Sequence, residues 1–266
     1  MTDLRDIGVR IHSRYIFNCY VIEDGGAGAA CVVDAGIPLN ATSALETLRE
    51  LGAGADVVLT ATHAHSDHVA GLPALHAATG GGIWLPAKVE DYVRGQPARS
   101  PGPRAMLQII PVLFDQPMDW AALGEALSTA KDAGFGLSPF VFEPPIKGYL
   151  RDSHTVPGAP DWEVLETPGH TDCSTCLWNK KTRTLLSGDT ILSVNGRAWF
   201  NPEYVDGVAS ARTEALLRQL PVEHLLPGHG RPVSGARVMA EALSHLERPR
   251  GWSPLTCFRP GRSRAR

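Results

Sequence analysis

The chain has 266 residues, of which 43% are hydrophobic and 20% charged, and its formal net charge is −3. This length allows a large core in one domain or two small ones. Because charges of both signs are interspersed, the composition disfavours a nucleic-acid or an anionic-membrane partner. The N-terminus lacks an apolar core of signal-peptide length, and no stretch approaches the roughly 20 apolar residues that span a bilayer, so a cytoplasmic location is expected.

In chain order, the first third alternates strand and helix patterns. Strands are predicted at 15–23, 30–34, 57–61 and 82–85, and helices at 40–51, 72–78 and 88–94. The Gly-rich residues 24–29 are predicted to form a hairpin turn between the first two strands. This alternation predicts an α/β fold.

Prolines then break residues 96–158 into short pieces, and only 120–133 keeps a helical spacing. The segment also carries aromatic residues that look exposed, among them Phe135 and Phe140. Long irregular insertions often form lids or binding loops, so 96–158 is predicted to be an insertion on the substrate side. A surface excursion that only covers one face is the alternative.

Regular patterns return after this segment. Strands are predicted at 162–166, 173–178, 184–186 and 223–226, and helices at 209–220 and 236–246. No linker divides the chain, so a single domain over 1–266 is expected, with a flexible basic tail at 258–266.

The cysteines give no sign of a disulfide framework. They are odd in number and irregularly spaced, mostly inside apolar runs: Cys19, Cys31, Cys173, Cys176 and Cys257. Free thiols are therefore expected. Cys173 and Cys176 form a CxxC pair, but residues three apart in a strand point to opposite faces, which disfavours a shared ligand.

Metal-ligand side chains cluster after the predicted strand at 57–61. The run TATHAHSDHVAG places His63, His65, Asp67 and His68 within six residues. Extended residues two apart project to the same side, so His63 and His65 can face one point, and a turn begun at Ser66 can aim the other two elsewhere. That arrangement suits two metal ions.

Three more ligand-type side chains follow later strands: His170 after TPG, Asp189 after SG, and His229 within PGHG. Imidazoles and carboxylates without cysteine suit zinc, manganese or iron. Together with the first cluster they make seven ligands, a number that two adjacent ions would use. The sequence therefore predicts two divalent ions, with zinc favoured.

The motifs HAHSDH, TPGHT, SGDT and PGHG, in this order, resemble the signature of the metallo-β-lactamase superfamily, and NCYVIE and CVVDAG resemble its opening hairpin. The resemblance covers the chain except the insertion and the tail. It implies an αβ/βα four-layer sandwich with the metal site at one edge of two sheets, here with an irregular, partly helical insertion.

The resemblance also implies roles for the ligands. Two sets joined by a bridging carboxylate are implied: His63, His65 and His170 at one metal, Asp67, His68 and His229 at the other, and Asp189 between them. Asp34 of CVVDAG would support the ligands by hydrogen bonds. Its alternative role is that of a turn-capping aspartate.

The implied reaction is hydrolysis. A carboxylate between the metals resembles the glyoxalase II and lactonase branches and disfavours β-lactam hydrolysis. A metal-bridging hydroxide would cleave a small ester, thioester or lactone, and Asp67 is the candidate for orienting it or passing a proton. A mononuclear iron enzyme resembling persulfide dioxygenases is an alternative, as is a phosphodiesterase of the same superfamily, against which the missing basic patch counts.

The substrate pocket is harder to predict. Trp199, Phe200 and Tyr204, in the segment after Asp189, are candidates for its wall, with simple packing as the alternative. The expected partner is a small-molecule substrate. Neither nucleic acid nor a membrane is expected as a partner, and a homodimer is left open.

Overall fold

The structure is a computed structural model that describes residues 4–23, 30–53, 56–102, 105 and 107–249. The predicted turn at 24–29, Cys257 and the predicted tail at 258–266 lie outside the described residues. The described strands are β1 (Val9–Arg14), β2 (Phe17–Glu23), β3 (Ala30–Val33), β4 (Val58–Thr60), β5 (Gly82–Pro86), β6 (Ile146–Leu150), β7 (Thr155–Val156), β8 (Ala159–Glu166), β9 (Thr175–Asn179), β10 (Thr184–Gly188), β11 (Ile191–Val194), β12 (Arg197–Phe200), β13 (His224–Pro227) and β14 (Val233–Ser234).

The helices lie between the strands along the chain. They are α1 (Pro38–Glu50), α2 (Ser66–Val69), α3 (Leu72–Thr79), α4 (Val89–Val93), α5 (Ile110–Leu113), α6 (Trp120–Thr129) and α7 (Gly207–Leu217), with 3-10 turns at Leu4–Ile7 and Leu107–Ile109. In the part of the chain that is described, no helix is long and apolar enough to cross a membrane.

Two six-stranded sheets organise the molecule. The first has the order β1-β2-β3-β4-β5-β6, antiparallel from β1 to β3 and parallel from β3 to β6. The second has the order β14-β13-β10-β9-β8-β7 and is antiparallel except for the parallel pair of β10 and β13. Helices connect the parallel strands, as such crossovers require. The carboxyl ends of parallel strands therefore meet at one edge of each sheet.

Alternating side chains build a layer on each side of the first sheet. On β2, Cys19 and Val21 face a core shared with α1, α3 and α4, whereas Tyr20 and Ile22 face a core shared with the second sheet. A third core packs α7 against the outer face of the second sheet through Leu217. The layers thus run helix, sheet, sheet, helix, and the predicted α/β four-layer sandwich is confirmed.

The boundary predicted for the insertion, 96–158, needs correction because β6 lies inside it. This strand pairs in parallel with β5, with Gly148 opposite Trp84. A Cβ at Gly148 would lie 2.3 Å from the ring of Trp84, so the position needs glycine. The missing side chain and the preceding Pro144 and Pro145 concealed this strand in the sequence pattern.

The irregular part of the insertion, residues 96–145, packs over one edge of the sandwich. Val112 of α5 and Ala122 of α6 share a core with the turn between β1 and β2 and with the β11–β12 ribbon. Asp119 accepts a hydrogen bond from the N–H of Ala122, which caps α6, and pairs with Arg14 at 2.6 Å. The insertion is therefore fixed beside the strand ends that carry the predicted ligands.

The predicted helix at 236–246 is wrong, because the chain forms turns, irregular residues and an isolated bridge between Leu243 and Trp199 there. The guanidinium of Arg218 donates to the carbonyls of Met239 and Ala242, at 2.9 and 3.1 Å. The N–H of Leu243 donates to the carbonyl of Ala198. These tertiary hydrogen bonds use backbone groups that a helix would pair internally. Strand β1 was also missed, because Arg10, His12 and Arg14 interrupt its apolar pattern.

Candidate metal centre and adjoining cavity

All seven predicted ligands lie at the edge where strands of both sheets end. Two follow β4, two lie in α2, and one each follows β8, β10 and β13, in the order His63, His65, Asp67, His68, His170, Asp189 and His229. The structure brings them together in three overlapping groups whose ligand atoms lie within 4.8 Å of one another: His63, His65 and His170; His63, His68 and Asp189; and Asp67, His68 and His229.

The first group, His63, His65 and His170, directs three ring nitrogens at one point. Nδ1 of His65 lies 3.0 Å from Nε2 of His63 and 3.2 Å from Nε2 of His170. Nδ1 of His170 donates to the carbonyl of Glu203 at 2.8 Å, which leaves a lone pair on its Nε2. Thr62 orients the ring of His63 in the same way, because its hydroxyl lies 3.2 Å from Nδ1 of that ring. In both rings Nε2 is therefore the nitrogen that is left to bind a cation.

Asp189 lies between this group and the remaining ligands. Its Oδ2 is 3.2 Å from Nε2 of His229 and 3.6 Å from Nε2 of His170, and its Oδ1 is 3.4 Å from Nε2 of His68. Asp67 contacts the same His229 nitrogen at 3.2 Å. A carboxylate in contact with histidines of both groups has the placement that the predicted bridging role requires.

Asp34 stands behind this cluster. Its carboxylate accepts hydrogen bonds from the N–H of Thr62 at 2.7 Å and from the Thr62 hydroxyl at 2.9 Å. Its Oδ2 also lies 3.2 Å from Nδ1 of His68, although away from hydrogen-bond geometry. Asp34 therefore caps the loop after β4 and faces a ligand histidine, so both of its predicted roles are compatible with its position.

The donor set fits bound cations. In the described residues, two buried polar side-chain atoms have no hydrogen-bond partner, Nδ1 of His68 and Oδ1 of Asp189, and both belong to this cluster. A buried polar atom without a partner costs about 1–3 kcal/mol. Tetrahedral zinc with nitrogen ligands at 2.0–2.1 Å separates those nitrogens by about 3.3 Å, close to the spacing in the first group. A cation would satisfy Oδ1 of Asp189 and the facing lone pairs of the first group, whereas Nδ1 of His68 faces Asp34 behind the cluster.

The pKa values divide the histidines into two kinds. Burial, and then the neighbouring His170, lower the pKa of His65 to about 3, and burial also lowers the pKa of His63. Burial opposes charge on His229 as well, but Asp189 and Asp67 outweigh it and raise its pKa to about 10. Asp34 and Asp189 likewise outweigh burial and raise the pKa of His68. The first kind is neutral without metal, and the second holds protons.

A cavity of about 260 Å³ opens beside the cluster. One end is formed by ligand side chains, and the remaining wall is mainly apolar. The apolar lining consists of Phe17, Ile109, Leu123, Ala126, Leu127, Ala130, Phe135 and Leu137. Most of these residues belong to the insertion, so the irregular segment shapes the space next to the candidate metal centre.

The family model of the metallo-beta-lactamase superfamily matches residues 15–229, from the turn before β2 to the last candidate ligand. The chain belongs to this superfamily. It is 24% identical over 227 residues to the probable metallo-hydrolase YflN of Bacillus subtilis (strain 168), which covers 77% of this chain and 76% of that protein.

Solved structures of other proteins share the fold. ST1585 of Sulfolobus tokodaii matches with a TM-score of 0.56 and 16% identity, over 88% of this chain and 84% of that one. TTHA1623, solved in a di-iron-bound form, matches with a TM-score of 0.53 and 20% identity, over 85% and 93% of the two chains. These likenesses establish the superfamily fold, while the glyoxalase II or lactonase branch stays a prediction.

Among the predicted pocket residues of this superfamily member, Trp199 and Phe200 do not line the cavity. Trp199 is 1% exposed and donates its indole N–H to the carbonyl of Glu247. Phe200 is buried beneath the guanidinium of Arg218, 4.9 Å from its ring centroid. Both side chains pack into cores behind the site because the β11–β12 ribbon alternates between two buried faces. Packing, the alternative interpretation, is therefore correct for both.

Tyr204 is also directed away from the cavity lining that the structure describes, and its ring packs edge-on against His245 at 5.7 Å. The sequence predicted that Phe135 is exposed, but its side chain is buried, with 1% exposed. The centroid of its ring lies 4.6 Å from that of His65. An aromatic residue of the insertion thus packs directly on a candidate ligand.

Sequence reasoning missed two buried asparagines that hold the site loops. Asn201 donates to the carbonyl of Asp189 at 2.8 Å and accepts from the N–H of Glu203 at 2.8 Å. Asn18 donates to the carbonyls of Pro227 and Gly230, at 2.9 and 2.7 Å, on either side of His229. Asn201 directly follows β12 in the run FNPE, and a polar residue ending a buried strand is a signal that could have revealed it.

Gly228 in PGHG allows the loop that carries His229 to lie close to Asp189 and His68. A Cβ at this position would lie 2.5 Å from Oδ1 of Asp189 and 2.7 Å from Cε1 of His68. Only glycine leaves space for these two side chains. The PGHG motif thus contributes both a ligand and the room that the neighbouring ligands need.

Proposed function

We propose that this superfamily member is a dinuclear metal-dependent hydrolase that cleaves a small ester, thioester or lactone. One observation carries the proposal: the Asp189 carboxylate lies between two histidine groups and lines a mainly apolar cavity. Such a placement suits a carboxylate shared by two ions. An apolar cavity suits a small organic substrate rather than a polyanion.

The seven side chains would hold the ions in two sets that share Asp189. His63, His65 and His170 form one set, and Asp67, His68 and His229 form the other. Bound divalent ions would supply an activated water at neutral pH and would polarise the substrate carbonyl. Zinc is proposed, with manganese or iron as alternatives, because these borderline-hard ions accept imidazole and carboxylate ligands.

Asp67 is the proposed catalytic carboxylate. Its side chain lines the cavity, as that of Asp189 does, but it is more accessible: 28% exposed, against 6% for Asp189. Nδ1 of His229 faces the carbonyl of Ile16 at 3.3 Å, which fixes the ring whose Nε2 contacts Oδ2 of Asp67. Asp67 can therefore accept a hydrogen bond from water in the cavity, orient it towards a carbonyl, and pass a proton to the leaving group.

The test combines metal content with turnover. Protein purified without added metal is analysed for its elements and assayed on p-nitrophenyl acetate, a thioester, a lactone and a phosphodiester. We expect close to two metal ions per chain and turnover of the ester-type substrates. His170→Ala should lower the metal content and cut kcat/KM by about 100-fold or more, since a ligand of one set is lost.

The exposed His154, which has no assigned role, supplies a matched control. His154→Ala should keep both metal content and turnover. Full activity of His170→Ala would overturn the proposal. A single iron per chain with oxygen consumption on a persulfide and no hydrolysis would replace it with the dioxygenase alternative, and turnover of the phosphodiester alone would replace it with a phosphodiesterase.

A further inference from the structure

We infer that the cavity is an acyl-chain subsite: it binds the acyl part of the substrate as an uncharged hydrocarbon chain that runs from the ligand cluster towards solvent. The inference deepens the proposed function and rests on it. It is carried by the side chains of α6 and of the segment 134–137, their exposure, and the charges around them.

One wall of the subsite is a helical stripe. Leu123, Ala126, Leu127 and Ala130 line the cavity at spacings of three and four residues, which places them on one face of α6 and its last turn. Phe135 lines it too, beside the candidate ligand His65. An apolar surface therefore begins at the metal cluster and continues along the helix.

The mouth of the cavity is apolar as well. Leu127 and Leu137 both line it, yet they are 66% and 67% exposed. Two leucines that line a cavity and also reach solvent mark where it opens. Exposed apolar surface beside a cleft is typical of a binding site for an apolar group. A hydrocarbon chain can thus leave the cavity between Leu127 and Leu137.

The charges around the cavity disfavour an anionic acyl group. None of the lining residues that the structure describes is a lysine or an arginine. The charged lining residues outside the histidines are acidic: Asp67, Asp189 and Glu203. An acyl chain ending in a carboxylate or phosphate would lose water without gaining a cationic partner along the wall. An uncharged chain meets no such penalty.

The volume limits the chain length. At about 260 Å³, the cavity is smaller than the roughly 300–1,000 Å³ typical of sites for drug-sized ligands. A short or medium alkyl chain fits this space. Each buried methylene is expected to raise kcat/KM about fourfold until the chain reaches the mouth, the factor that corresponds to its transfer from water.

The experiment uses the metal-loaded, full-length protein and the p-nitrophenyl esters of acetate, butyrate, hexanoate and octanoate. We expect kcat/KM to rise with chain length, and the p-nitrophenyl monoester of adipate to react about 100-fold more slowly than the hexanoate. Leu127→Glu should lower the octanoate-to-acetate ratio of kcat/KM about tenfold or more. Because Leu127 is largely exposed, this variant should fold. Leu216→Glu on α7, a 48% exposed leucine outside the cavity, should keep the ratio.

A second readout separates this inference from the proposed function. Octanamide, an uncharged ligand without a scissile ester, is titrated into the same three proteins by calorimetry. If no ester is cleaved but octanamide binds and Leu127→Glu weakens its binding, the result supports the acyl-chain subsite and contradicts the proposed ester hydrolysis. If esters are cleaved with no dependence on chain length, hydrolysis stands and the subsite is overturned. Absence of both octanamide binding and ester turnover overturns both.

Discussion

Asp34 shows how one residue can support a site that it does not line. It adopts a left-handed backbone conformation (φ 61°), which aspartate and asparagine tolerate better than most residues. From there its carboxylate holds the N–H of Thr62 and faces His68. A carboxylate behind a ligand histidine orients the ring and increases its basicity.

Asp34→Asn is therefore expected to weaken metal binding while keeping the fold. Asparagine preserves the backbone conformation and an acceptor for Thr62 but removes the negative charge beside His68. We expect metal affinity to fall about 10–100-fold, measured by competition with a chelator. Asp161→Asn, at a surface carboxylate paired with Lys181, is the control and should bind metal like the wild type. An unchanged affinity in Asp34→Asn would reduce Asp34 to a turn cap.

From the histidines with raised pKa values we predict that metal binding releases protons. Nearby carboxylates raise the pKa of His229 to about 10, so this ring is protonated at pH 7 in the metal-free protein, and they also raise the pKa of His68 above its usual value. A metal ion requires the neutral ring, so its binding must displace these protons. Zinc titrated into metal-free protein should release at least about one proton per chain and bind more weakly as pH falls. A binding enthalpy independent of the buffer's ionisation enthalpy would contradict this.

At the scale of elements, the insertion is joined to the loop that carries the first ligands. The N–H of Phe135 donates to the carbonyl of Ala64, and the N–H of Ser66 donates to the carbonyl of Phe135, both at 3.0 Å. Gly134 makes this approach possible: its φ is +86°, and a Cβ would lie 2.7 Å from the carbonyl oxygen of Ala64 and from a methyl group of Val69. Backbone contacts thus fix the insertion to the loop that carries the candidate ligands His63 and His65.

Gly134→Ala should separate these two elements. The new methyl group has no space and the backbone is left-handed, so we expect a loss of about 1–3 kcal/mol in the free energy of unfolding together with lower hydrolytic turnover. Gly124→Ala is the matched control. Gly124 lies inside α6, and a methyl group added there would have no atom within 4 Å, so alanine should stabilise the protein by up to about 1 kcal/mol. Urea unfolding of both variants tests the contrast, and equal effects would contradict it.

At the scale of the whole molecule, features that a few neighbouring residues determine could be predicted from the sequence. Features that depend on contacts with distant residues could not. His63, His65 and His170 lie in short motifs at strand ends, so it could be predicted from neighbouring residues that these side chains meet. Asn18 could not, because its side chain supports the PGHG loop from 209 residues away. The strand β6 and the turns at 236–240 depend on Trp84 and Arg218, whose contacts no local pattern encodes.

Glu214 ties the last described segment to the second sheet's helix layer. Its carboxylate accepts hydrogen bonds from Arg218 at 2.8 and 2.9 Å, from Ser244 at 3.0 Å and from Nδ1 of His245 at 2.5 Å. Burial opposes the charge, but His245 and Arg218 outweigh it and lower the pKa of Glu214 below its ordinary value of 4.5. The carboxylate is therefore the form that stabilises the fold.

A lowered pKa in the folded state gives a stability contribution that is present above about pH 4.5 and is lost as pH falls through the folded-state pKa. Glu214→Gln should accordingly reduce the free energy of unfolding by about 1–3 kcal/mol at pH 7. The difference from the wild type should begin to shrink below about pH 4.5, where the unfolded chain takes up the proton, and should be lost as pH falls through the lower folded-state pKa of Glu214. Urea unfolding of both proteins between pH 7 and the acid range measures the difference in the free energy of unfolding. Glu163→Gln, at an exposed position in β8, is the control. A difference of constant size at all pH values would show that shape, rather than charge, makes Glu214 hold the C-terminal turns in place.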